Sequence, residues 1–159
     1  MEGGFAVDEE PLREAVLRAY HDHRRAKGAR KKVLDAVRQF LSGAPGGASV
    51  PGRYWFEEDP SASAASFVED LDGAAPGLAR QVLEPLLAAA SKMEKRRQRQ
   101  LVPNIPVLVS SLAGAVAVRT GLDEAVAGAA LSSAILGLSR AGPDPFIAAL
   151  EGRRRGAGP

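Results

Sequence analysis

Apolar residues recur along most of this chain at spacings of three and four, as on amphipathic helices, and no run alternates as a strand would. Leu12, Val16, Tyr20 and His23 form the first such stripe. Asp8 stands where an N-cap belongs, Pro11 falls in the opening turn, and Glu9 and Glu10 suit the positive end of a helix dipole. Gly28 breaks or softens the helix, and Val33, Leu34, Val37, Phe40 and Leu41 resume the pattern before Gly43. Residues 1–43 therefore read as basic, amphipathic helices whose stripe needs a partner surface.

The periodicity lapses over residues 44–60, a Gly- and Pro-rich loop that carries Tyr54, Trp55 and Phe56. Three adjacent aromatics cannot all face one way. They either seat the loop on the helices or offer a surface to a partner, because Trp and Tyr are favoured interface anchors. Helical spacing returns in residues 61–151, first with Phe67, Val68 and Leu71, then from Leu78 to Met93. Pro85 lies inside the second pattern and predicts a kink or a fresh helix start, since it lacks a backbone donor and crowds the carbonyl of Gln81.

Residues 104–142 form two helices of Ala, Gly, Ser, Val, Leu and Ile, whose only charges are Arg119, Asp123, Glu124 and Arg140. A helix apolar on all sides must be buried all round or lie in lipid. Asn104 suits an N-cap, Gly121 a left-handed helix end, and Thr120 with Asp123 an imperfect capping box for the second helix. So short a turn implies an antiparallel hairpin. Small residues recur every fourth position in the second helix, at Ala125, Ala129, Ser133 and Gly137, while Gly114 belongs to a small stripe in the first. Such ladders allow close approach of two backbones, either within the fold or between subunits. Asp144 then caps a short last helix from Pro145, and residues 152–159 read as a tail. The expected fold is all-α, a single-domain bundle of about six helices with the C-terminal hairpin at its centre.

Composition narrows the chemistry. The chain has 159 residues and no cysteine, which excludes disulfides, thiolate metal sites and a Cys nucleophile. The start Met1-Glu2-Gly3-Gly4 lacks the basic and apolar regions of a secretory signal, so a cytoplasmic location is expected. His21 and His23 are the only histidines, and two residues apart on a helix they point away from one another, so no metal site is expected. The hairpin serines have no histidine near in sequence, and Glu69, Asp70 and Asp72 fit a solvated helix end better than an acid pair. Neither an enzyme nor a cofactor is expected.

Net charge is +2, but the cations cluster. Arg24, Arg25, Lys27, Arg30, Lys31 and Lys32 form one run; Lys92, Lys95, Arg96, Arg97 and Arg99 form a second. If the two runs converged they would make an anion- or nucleic-acid-gripping patch, sensitive to salt and indifferent to sequence. Otherwise they are solvated faces or contacts for an acidic protein. The leading expectation is a non-catalytic assembly module with a protein partner or a second copy, touching through Tyr54, Trp55, Phe56, Gly114, Ala125, Ala129, Ser133 and Gly137. An accessory nucleic-acid binder ranks second. A membrane-active protein ranks last, since at 1.5 Å per residue the first hairpin helix is roughly 24 Å long against a hydrocarbon core of roughly 30 Å.

Overall fold

The computed structural model describes residues 9–38, 59–95 and 105–157, and among these the chain is all helical. Seven helices follow in order: α1 (Glu9–Asp22), α2 (Ala29–Arg38), α3 (Pro60–Ala74), α4 (Leu78–Lys95), α5 (Ile105–Thr120), α6 (Glu124–Ala141) and α7 (Asp144–Ala157). The expected all-α bundle is what forms. Glycine punctuates it. Gly28, Gly121 and Gly142 have φ of 69°, 79° and 81°, a left-handed backbone that costs other residues energy and glycine little. α1 already ends at Asp22, and Gly28 directly precedes α2, its carbonyl accepting from the Lys32 amide, so the helix is broken there instead of softened.

α6 is the axis of the bundle, packed against α1, α2, α4, α5 and α7. Every residue from Ala129 to Leu138 is buried. A helix apolar all round needs such encirclement, because any open side would wet apolar surface. The stripes of the amphipathic helices supply it: Leu12, Val16 and Ala19 from α1, then Val33, Leu34 and Val37 from α2. α3 forms a second layer over α2, α4 and α7. There Phe67 meets Phe146 edge to face at 6.2 Å, both fully buried, which joins α3 to α7.

Three local expectations change. α4 runs unbroken through Pro85, so no new helix starts there. The contacts of α4 with α3, α5, α6 and α7 offset the missing donor. α7 does not stop at a tail but continues to Ala157. Arginine is a good helix former, so the sequence does not oppose this extension. Thr120 does not begin a capping box. Its hydroxyl donates back to the Val116 carbonyl at 2.7 Å, and Asp123 is the N-cap of α6 without a side-chain bond to that helix.

Candidate interaction surfaces

α1 lies antiparallel on α6, tied at both ends. At one end Arg140 makes a two-pronged contact with Glu9, at 3.0 and 3.2 Å. At the other, Asp123 accepts from Arg30 at 3.1 Å and stands 3.7 Å from His23 Nδ1. That is where the carboxylate of Asp123 goes instead of capping α6. Arg38 adds a third tie, its guanidinium 5.1 Å over the Tyr20 ring, which holds α2 against α1.

These ties reveal what the small-residue ladder of α6 does. At 100° per residue, Ala129, Ser133 and Arg140 fall within about 40° of one another, so the ladder faces α1, the helix that Arg140 reaches. Ala129, Ser133 and Gly137 are buried there, and in this conformation a partner cannot touch them. Ala125, at the start of the ladder, is exposed. Among the described residues, the buried Ser133 hydroxyl is left without a hydrogen-bond partner.

α5 meets α6 differently. The chain turns through 120° between them, so the pair is antiparallel but splayed. Val109 and Ala113 cover Gly128, and a methyl added at Gly128 would sit at ordinary contact distance, 3.8 and 3.9 Å, from them. Close backbone approach therefore does not account for that glycine. At Gly114 a methyl would come within 3.4 Å of a Glu124 carboxylate oxygen, the end of a flexible side chain.

Besides α6, α5 packs substantially only against α4 among the described helices. Its inward side carries Val109, Ala113 and Val116, and Arg119 is tied to Gln81 of α4 at 3.2 Å. The opposite side is open. Val107, Ser110, Ser111, Ala115 and Val118 are all exposed, with Val118 at 85%, and half-buried Gly114 lies among them. On a helical wheel these six positions span one continuous face, and none is charged.

The first basic run occupies the turn between α1 and α2 and the opening of α2. Arg24, Arg25, Lys27, Arg30, Lys31 and Lys32 are all exposed. Arg30 is committed to Asp123, and Lys31 pairs with Asp35 at 3.4 Å. No ion pair to Arg24, Arg25, Lys27 or Lys32 forms among the described residues. Of the second run, only the backbone of Lys92 and Lys95 is among the described residues. Gln81, tied to Arg119, sits near the start of α4, on the side of the α5–α6 turn that holds Asp123. From there the helix carries Lys92 and Lys95 roughly 16 and 21 Å away. Neither α1 nor α2 packs substantially on α4. The described parts of the two runs thus lack the framework that would join them into one patch.

Tyr54, Trp55, Phe56, Arg96, Arg97 and Arg99 lie outside the described residues, as do Asp8, Asn104 and the side chains of Lys92 and Lys95. Of the three neighbouring acids, Asp72 has a structural task that spacing does not announce. Its carboxylate accepts from the Ala79 amide at 3.0 Å and so caps the first turn of α4 from the end of α3. Among the described residues no three His, Asp or Glu side chains gather as metal ligands would. Nor is any described helix long and apolar enough to cross a membrane alone; α5 and α6 pass that test only as a pair bent by 120°. No family model, curated protein or solved structure matches the chain.

Proposed function

We propose that this chain is a non-catalytic helical assembly module that self-associates through the open face of α5. The observation that carries the reading is the uncharged face from Val107 to Val118, about three turns long, left exposed on a chain of which 25% is charged. Its side chains are small, so a second helix can approach closely and cover Val107 and Val118. A two-fold contact asks only that the face fit itself, and Val, Ser, Gly and Ala present neither a charge to repel nor a polar group that demands one particular donor. Size limits the strength. One helix of about 24 Å offers far less than the roughly 800 Å² per partner of a standard interface, which implies a reversible contact in the micromolar range or weaker.

Sedimentation equilibrium across a dilution series tests the proposal, with Val118→Arg as its partner experiment. The wild-type chain should gain mass with concentration, while the variant stays monomeric with unchanged helicity. A wild-type chain still monomeric at high micromolar concentration would remove the reading. Equal assembly of the two proteins would move the contact to another surface.

A further inference from the structure

We propose that the turn from Arg24 to Lys32 docks the sugar–phosphate backbone of a nucleic acid. Nine consecutive residues there contain six cations and no acid. The fold employs few of them. Arg30 anchors the turn to Asp123 and Lys31 pairs along its own helix, while Arg24, Arg25, Lys27 and Lys32 are exposed without an ion pair among the described residues. An ordinary solvated face intersperses both signs; here the two acids that approach, Asp123 and Asp35, pair with Arg30 and Lys31 and leave the other four cations unmatched.

Placement sharpens the point. Arg30, Lys31 and Lys32 occupy the first turn of α2, which has no acidic residue, and there the helix dipole opposes positive charge. The fold thus bears an electrostatic conflict that a polyanion would relieve. Conflicts of this kind concentrate where a surface serves binding rather than stability.

The chemistry of the patch selects among polyanions. The large apolar side chains exposed in the described structure are Leu17, Val107, Val118 and Ile147, none of them within the run. An acidic protein surface binds durably around a desolvated apolar anchor, and a bilayer surface takes up an apolar helix face. The run offers neither. Phosphates ask only for cations in reach, and arginine presents a fork that matches two phosphate oxygens. Binding should therefore ignore base sequence and fall steeply with salt. This proposal does not rest on self-association through α5.

The test uses the full chain and a fluorescein-labelled 20-base-pair duplex, followed by anisotropy from low to physiological salt. Engagement of one phosphate by each of these four cations, Arg24, Arg25, Lys27 and Lys32, would give a slope of about −3.6 in log affinity against log salt, and replacing Arg24, Arg25 and Lys27 by Gln should make it shallower by about 2.7. A duplex of scrambled sequence should bind equally well. Circular dichroism should show the triple variant as helical as the wild type, because none of the three residues is tied into the fold. No binding at the lowest salt would overturn the proposal. So would an unchanged slope in the triple variant, or a loss seen only on replacing Lys92 and Lys95. Tighter capture by phosphatidylserine vesicles or by polyglutamate would assign the patch to a membrane or an acidic protein instead.

Discussion

α5 and α6 are built from the same few residue types, follow one another in the chain, and end in opposite environments. α6 is buried without a break from Ala129 to Leu138, whereas on α5 only Ala113 and Val116 are buried among the side chains described. Hydrophobicity does not separate them. What differs is company: among the described helices α6 is covered by α1, α2, α4, α5 and α7, but α5 substantially only by α6 and α4. The amphipathic helices have one apolar stripe each to bury, and they spend it on α6. The outer side of α5 is left over, and that remainder is the best ground for seeking an interaction.

Substitutions matched between the two helices would break this contrast or sharpen it. The largest effect is expected for Leu131→Ala in the fully buried part of α6, a loss of about 2–5 kcal/mol in chemical denaturation, since the cavity there has packed neighbours on all sides. A loss below about 1 kcal/mol would mean that α6 is not enclosed as described. Next comes Ser133→Ala, which removes an unpaired buried hydroxyl from the face that meets α1. It should raise stability by about 1 kcal/mol, visible as a higher melting temperature. Destabilisation would reveal a partner for that hydroxyl. The smallest effect belongs to Val118→Ala on the open side of α5, within about 0.5 kcal/mol for dilute protein. A larger loss at low concentration would show that the face is already covered within one chain.

Much of this was legible from residue order, and the failures have identifiable causes. The break before α2 at Gly28 and the helix ends at Gly121 and Gly142 could be read because a left-handed turn is a local demand that glycine meets cheaply. At Pro85 the fresh helix start does not occur, because the local penalty is outweighed by packing on several helices. Asp123 suggested a cap, yet its carboxylate answers Arg30, 93 residues away in the chain. Asp72 looked like one solvated acid among three and instead caps the next helix. Of the small ladder on α6, the spacing was right but the use was open. Ala129, Ser133 and Gly137 face α1, so the surface left for a partner is on α5.

Period and propensity act over a few residues, and they sufficed to specify an all-helical chain, most of its helix boundaries and the apolar stripe of each amphipathic helix. Which of two equally apolar helices becomes the dry axis is a different kind of question. It depends on where distant stripes converge, and on ties such as Glu9 to Arg140 across 131 positions that lay α1 along α6 and leave α5 half uncovered. No local pattern encodes that outcome, because burial is a property of neighbours and the neighbours arrive only when the whole chain has folded.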